Sequence, residues 1–388
     1  MTKTALVAGG GIAGTVAALA LRRAGWDPVI CEARPAGADD GGAFLTVAVN
    51  GLNALRTLGL DPARVLAAGF ATPEMTLGNG AGRHLARLPL GGPAEDGTTT
   101  TTIRRADLYA ALRAHAGEIR YGRRLTSLSQ DADRVTAVFA DGSRESAGLL
   151  VGADGLNSRV RALLNPGMPG PRYLGVLNAG GFTTEPVPAA LDRTPGVVHM
   201  VFGRRAFFGW APAPDGSVWW FANPPARRPV DPGAYTPAAW KAHLLELFAG
   251  DAVPAAAIIS ATAAPAGPWN TFDLPRVPVW RDGRVVLLGD AAHAASPSSG
   301  QGASMAVEDA VTLGRCLTEE TDVPAALARY EQRRRTRVEK VVAAGRRSGS
   351  TKTAGPVGAA IRDAMTPLVM RLLYRNGNPQ AWILDHRV

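Results

Sequence analysis

The chain has 388 residues, enough for two or three domains and a large buried core. Its 46% hydrophobic content and mean hydropathy of +0.01 are those of a globular protein, and no run of about twenty apolar residues argues for a membrane span. The net charge of +9 invites nucleic acid as a partner. The densest cationic cluster, Arg333-Arg334-Arg335 with Arg337, is nevertheless interleaved with Glu331 and Glu339 at helical spacing, so it reads as a solvated helix face with no nucleic acid on it.

The N-terminus enters a strand without a basic, apolar leader, which predicts a cytoplasmic protein. Residues 4–8 form a short apolar strand, followed by Gly9-x-Gly11-x-x-Gly14 and a helical run to Ala24; 28–31 reads as a second strand ending at Glu32. This is a dinucleotide-binding pattern. The first glycine makes the tight turn, the second lets backbone approach a pyrophosphate and the third lets helix pack on strand. The phosphates lie at the helix N-terminus, and the acid accepts from ribose hydroxyls. A free Glu32 carboxylate repels a 2′-phosphate, so the tenant is NAD or FAD rather than NADP. Cys31 and Cys316 are distant in sequence and set among apolar residues, so both are expected to be buried thiols.

Residues 39–42 form a glycine/aspartate loop, 49–60 a helix closed by Gly59, and 72–97 hairpin strands. The β-prone run 98–102 leads into Ile103-Arg104-Arg105-Ala106-Asp107-Leu108, which opens a helix to His115. An arginine before a helix start opposes the helix dipole, which points to an anionic partner or to solvation. Strands are predicted at 121–128 and 135–140, with a hairpin turn at Asp141-Gly142. A buried strand at 149–152 precedes Ala153-Asp154-Gly155, placing a carboxylate between strand and helix.

From 173 to about 275 the texture changes to alternating, aromatic-rich runs at 180–184, 197–202, 206–211 and 217–221, with a hairpin turn at Asp215-Gly216. These runs predict an antiparallel sheet facing a substrate. The chain then returns to a buried strand at 284–288. It is followed by Gly289-Asp290-Ala291-Ala292-His293, by Pro297, and by Gly300-Gln301-Gly302-Ala303-Ser304 opening a helix at 305–317. A carboxylate and a glycine turn at a strand's C-terminal end mark the ligand crevice of a doubly wound sheet. A helix at 324–342, a polar linker at 346–356 and an amphipathic stretch at 357–374 complete the chain. That last stretch is expected to pack on the body rather than on a membrane.

The three motifs Gly9-x-Gly11-x-x-Gly14, Gly152-Ala153-Asp154-Gly155 with Ser158 and Arg161, and Gly289-Asp290-Ala291-Ala292-His293, in this order, resemble the single-component FAD-dependent aromatic hydroxylases, the group that includes para-hydroxybenzoate hydroxylase. The resemblance implies an α/β fold: a Rossmann-like FAD-binding domain of the GR2 type, an inserted antiparallel-sheet substrate domain and a C-terminal helical segment. The boundaries it implies are 1–71, 98–172 and 275–345 for the FAD-binding domain, 72–97 and 173–274 for the substrate domain, and 346–388 for the C-terminal helices.

It further implies that Gly9, Gly11, Ile12, Ala13 and Gly14 meet the FAD pyrophosphate, that Glu32, with Ala33 and Arg34 beside it, meets the adenosine ribose, and that Leu125 lies at the adenine. Arg105 (or Arg104, one residue out of register) touches the FAD, as do Asp154 and Gly155. Gly289 and Asp290 anchor the ribityl chain, and Pro297, Gly300, Gln301, Gly302 and Ala303 flank the isoalloxazine.

NADPH or NADH is then the transient electron donor. One atom of O2 enters an aromatic or polycyclic, phenolic or polyketide-like small molecule through a C4a-hydroperoxyflavin. No catalytic side chain and no metal are needed, since the cofactor carries the chemistry. His293 and His199 are the candidate bases, the former more readily structural. Phe182, Phe208, Trp210 and Trp220 are pocket-wall candidates, about half of which must face away because strand side chains alternate. Baeyer–Villiger oxidation, flavin-dependent dehydrogenation and a non-catalytic flavin or nucleotide sensor are the alternatives. The Trp-x-Trp-x-Ile-Pro signature of flavin halogenases is absent, and oligomeric state is open.

Overall fold

The computed structural model describes residues 3–37, 42–94, 96–350 and 355–388. A six-stranded sheet carries the first layer. Lys3–Ala8 pairs in parallel with Trp26–Cys31 on one side and with Leu149–Gly152 on the other, and Val285–Leu287 continues the parallel order. These strands are buried on both faces, which is why they read as continuous apolar runs. Helix Ile12–Arg23 packs between this sheet and helix Gly302–Glu319, so all three glycine turns open at the same C-terminal edge of the strands.

A second, seven-stranded sheet runs Ala266–Asp273, Arg172–Phe182, Val218–Asn223, Phe207–Pro212, Val197–Phe202, Glu74–Asn79 and His84–Pro89. It is antiparallel except where Val197–Phe202 pairs in parallel with Glu74–Asn79. That strand arrives on a separate crossing from the first layer, so no hairpin fixes its direction. One face packs on helices Pro237–Phe248 and Ala255–Ser260 around Trp240, Leu244, Phe248, Ile258 and Ile259. The sequence reading missed both helices, although Thr236-Pro237 is a cap signature: Thr236 Oγ1 accepts from Ala239 N–H at 3.2 Å. A small three-stranded sheet, Phe44–Val47, Thr101–Arg104 and Phe70–Ala71, joins the two layers.

Several boundaries differ from expectation. The strand expected at 121–128 begins only at Leu125, because Gly122, at φ +72°, turns the chain after Ile119–Arg120. The residues expected to form a linker from 346 continue helix Val323–Ser350, and residues 351–354 lie outside the described residues. So does the loop expected at 39–42, apart from Gly42. Cys31 and Cys316 are buried free thiols, and burial pushes the Cys31 thiol up to about 12.

The arginine cluster is a correction. Arg334 is 1% exposed, and Arg337 also turns inward. Arg334 donates to Glu308 and Asp309 at 2.7 Å each, and Arg337 reaches Glu308 at 2.8 Å. Helical spacing aligns Arg334 with buried Tyr330, Val338 and Val341, whereas Arg335 lies half-buried over Trp280 and pairs with Glu331. The signal was at the other end: Glu308-Asp309 inside an apolar helix needs buried cations.

Candidate active site

The first turn is shaped by close approach. Gly9 has φ +99°, and a Cβ there would lie 2.5 Å from Ala153 O; a Cβ at Gly14 would lie 1.9 Å from Gly9 O. Ile12 and Ala13 start the helix between them. At Gly11 a Cβ would meet nothing within 4 Å, so this residue borders open space. Glu32 Oε2 accepts from Gly10 N–H at 2.7 Å and Oε1 from Arg34 N–H at 2.8 Å. Gly122 N–H donates to Arg34 O and Arg123 N–H to Glu32 O, which brings the segment before Leu125 alongside Glu32, Ala33 and Arg34.

The second turn is a structural knot. Asp154 accepts from Ser158 Oγ–H, from Arg159 N–H at 2.6 Å and from Val160 N–H at 3.1 Å, and so caps helix Arg159–Leu164. Gly155, at φ +75°, makes the reversal. Arg161 then donates to Leu156 O at 2.6 Å and to Ala291 O at 3.1 Å, clamping the second motif to the third.

The third turn holds an acid in a deep, open crevice. Gly289 has φ +60°, and a Cβ on it would stand 2.9 Å from the Ala13 Cβ, so this turn fits closely on the first helix. Asp290 begins the short helix Asp290–His293, its carboxylate reached by solvent yet crowded by the crevice walls. Burial pushes its carboxyl up, against the opposing charges of His293 and Arg105. His293 points the other way. Its Nε2 is hydrogen-bonded to Asp309, whose Oδ2 also accepts from Gly289 N–H at 3.0 Å. It therefore braces the turn and does not face the crevice.

Beyond Pro297–Ser299, Gly300 adopts φ +61°, and Cβ atoms at Gly300 and Gly302 would meet nothing within 4 Å. Gln301 Oε1 accepts from Asn50 Nδ2–H at 2.9 Å, while Gln301 Nε2 is buried without a protein partner. Ala303 follows in the first turn of helix Gly302–Glu319.

The sheet supplies the facing wall. Pairing places Gly180 opposite Phe221 and Phe182 opposite Trp219, on the side toward the first layer. Phe44 meets Phe182, Trp219 and Phe221 at ring-centroid distances of 6.3, 5.7 and 6.2 Å, and Phe70 meets Trp219 at 4.9 Å. Phe44, Phe182 and Phe221 are only partly buried, on the face of the sheet turned toward the first layer.

Phe208, Trp210 and Trp220, expected as pocket wall, lie on the opposite face. Phe208 packs on Phe248 at 5.2 Å and stacks on Trp220 at 5.5 Å; Trp220 Nε1–H donates to Thr262 at 2.8 Å. Trp210 stacks on His199, which is bonded to Thr76 on that same face, so His199 is no base for this crevice either. Period-two alternation divides the strand residues into two sets but does not name the inward one. Trp219 and Phe221 were missed for that reason, and Phe44 because strand Phe44–Val47 was not predicted.

The adjacent arginines divide the two walls. Arg104 ends its strand with its guanidinium over Phe182 at 4.5 Å and Trp219 at 5.4 Å, and Arg105 begins the helix on the Asp290 side. Strand-to-helix geometry thus sends the two guanidinium groups to different sides.

The family model described as FAD binding domain matches residues 2–345. The chain belongs to the FAD-dependent aromatic monooxygenases. Aurachin C monooxygenase/isomerase of Stigmatella aurantiaca is 38% identical over 352 residues, covering 89% of this chain and 88% of the relative. The 6-hydroxynicotinate 3-monooxygenase of Bordetella bronchiseptica is 32% identical, covering 86% and 88%. Klebsiella pneumoniae HpxO complexed with FAD and uric acid superposes with a TM-score of 0.81 at 27% identity, covering 94% of this chain and 93% of that one.

The expected fold, enzyme class and cofactor therefore stand: this is a flavoprotein monooxygenase that uses FAD, with NAD(P)H as the donor typical of the family. FAD fits the crevice on structural grounds. The glycines that face protein have no room for a side chain, and Gly11, Gly300 and Gly302 face open space. No helix among the described residues is long and apolar enough to cross a membrane.

Proposed function

We propose that this monooxygenase hydroxylates an acidic, hydroxylated aromatic or heteroaromatic ring held between the FAD crevice and the Phe44/Phe182/Trp219/Phe221 wall, with Arg104 binding the anionic group. The observation that carries this reading is the exposed Arg104 guanidinium lying on Phe182 and Trp219, in no ion pair among the described residues although within the field of Asp215. Arginine offers planar, bidentate recognition of an anion and stacks on aromatic faces. Two relatives support it by name, since 6-hydroxynicotinate and uric acid are acidic, oxygenated rings.

When bound in this crevice, FAD would supply the two-electron chemistry: accepting hydride from NAD(P)H and activating O2. One oxygen atom enters a ring C–H bond as hydroxyl, the other leaves as water, and the two electrons come from the nicotinamide. The chain's own part is binding, orientation and exclusion of water. In this reading Gly9, Gly11 and Gly14, with the N-terminus of helix Ile12–Arg23, receive the pyrophosphate, and Glu32 accepts from the ribose hydroxyls on the lone pairs its backbone donors leave free. Asp290 accepts from the ribityl hydroxyls with Arg105 beside it. The backbone N–H groups from Gly300 to Ala303 stabilise negative charge on the ring. Asp154 and Gly155 act by holding the crevice in shape. The domain limits inferred from sequence, 72–97 and 173–274 for the substrate side, are compatible with this division of labour.

The test is oxygen consumption by FAD-loaded enzyme with NADPH or NADH, across ring acids and their neutral methyl esters. Wild type favours the acids. Arg104→Ala raises KM for them about 10- to 100-fold with little effect on the esters, and Arg104→Lys recovers part of the loss. Equal KM changes for acids and esters would remove Arg104 from substrate recognition.

A further inference from the structure

The C-terminal helix Pro356–Leu373 has its polarity reversed. Toward the body it turns Arg362 and Asp363: Arg362 lies over Phe202 at 4.2 Å, and Asp363 accepts from Asn79 Nδ2–H at 2.8 Å. Met370 and Tyr374 join the small core of Leu77, Leu85 and Leu88. Outward it shows Val357, Ile361, Met365, Leu368 and Leu372, 75%, 60%, 47%, 54% and 58% exposed, with Leu373 beside them. Their spacing repeats every three or four residues, so they form one stripe along the helix. The stretch, expected from sequence to pack on the body, does so through Arg362, Asp363, Met370 and Tyr374, and leaves its apolar stripe outward.

Exposed cations edge the C-terminal end of this stripe: Arg371 is on the helix itself and Arg375 follows it. The helix's acid, Asp363, is turned inward to Asn79 and Arg362. We infer that this helix docks the enzyme, in the plane of the interface, on a membrane surface rich in anionic lipid. An apolar stripe edged by arginine on a helix that does not span is the pattern of an interfacial anchor. The chain's net charge of +9 adds long-range attraction to such a surface.

A second copy of the chain fits less well. It would set the same arginines against one another, and a stripe one helix wide falls short of the roughly 20–30 residues per side of a stable protein interface. Docking would also set the substrate wall close to the lipid. Phe202 touches Arg362 on one side and Phe207 on the other, at 5.2 Å, and Phe207 meets Phe221 at 6.0 Å. This inference is independent of the substrate proposed above.

The experiment is co-sedimentation of the full-length, FAD-loaded enzyme with vesicles. Phosphatidylcholine vesicles are compared with equimolar phosphatidylcholine/phosphatidylglycerol, at low salt and at about tenfold higher salt. Binding to the anionic vesicles is expected to be at least about tenfold tighter, and weakened by salt. The triple variant Ile361→Ser/Leu368→Ser/Leu372→Ser and the charge variant Arg371→Glu/Arg375→Glu each lose this binding, with flavin absorbance and Tm retained. Equal sedimentation with and without phosphatidylglycerol would overturn the inference. So would a dimer, seen by sedimentation velocity, that the serine variant converts to monomer.

Discussion

Gly11 and Gly14 share a turn but are constrained by different partners. A methyl on Gly14 overlaps the Gly9 carbonyl, so Gly14→Ala is expected to cost about 1–3 kcal/mol or more in the cofactor-free protein and also to abolish flavin uptake. A methyl on Gly11 meets no protein atom. Gly11→Ala is therefore expected to unfold like wild type without FAD yet to bind FAD at least about tenfold more weakly. Urea unfolding of apoprotein and flavin titration separate the two. Equal apoprotein stabilities would show that the turn relaxes around the methyl.

Asp309 offers a second test. Burial alone would raise its carboxyl, but the charges and hydrogen bonds of His293 and Arg334 bring it to about 2. The folded value lies below the unfolded one, so the stability it contributes is complete above about pH 4 and is lost as pH falls toward 2. Asp309→Asn leaves Arg334 short of a buried carboxylate at a cost of about 3–5 kcal/mol. It should flatten the acid limb of the stability profile, and an unchanged limb would contradict the assignment.

At the scale of the element, the two faces of one sheet carry different functions. Trp220→Ala opens a cavity against Phe208 and Thr262, and is expected to cost about 3–5 kcal/mol with KM little changed. Phe182→Ala, at the crevice, is expected to leave Tm within a few degrees while raising KM about tenfold or more. Steady-state kinetics and thermal melts on the two variants measure this contrast, and a KM effect from Trp220 with none from Phe182 would reverse the faces. Strands Val197–Phe202, Phe207–Pro212 and Val218–Asn223 were legible from alternation, and the turns at Asp141-Gly142 and Asp215-Gly216 from their residue types, whereas Ala266–Asp273 and most of Arg172–Phe182 were not. Facing was not legible, because it depends on which element lies above each side. Helix Pro237–Phe248 covers the outer face, and nothing in the strands themselves announces it. The inward turn of Arg334 was hidden in the same way, since its partners Glu308 and Asp309 lie on another helix.

In the whole molecule, two separate cores support the crevice: the α/β layer around Val7, Ile30, Val151 and Val286, and, on the far face of the seven-stranded sheet, the sheet-on-helix core around Phe208, Trp220 and Trp240. The first was legible in detail, because three glycine-acid turns can lie together only at one edge of a parallel sheet. The second was legible as a class, an aromatic sheet facing a ring, without its two helices. Joining them are Phe44 and the Arg104-Arg105 pair, with one arginine turned to each wall. Insertion of one atom of O2 into an aromatic ring is measured by turnover of FAD-loaded enzyme under 18O2 with an acidic hydroxylated ring, followed by mass and NMR analysis of the product. One 18O per product is expected, as a new ring hydroxyl, with one NAD(P)H consumed per product formed. Product without 18O, or NAD(P)H oxidation yielding only hydrogen peroxide across the whole ring panel, would contradict it.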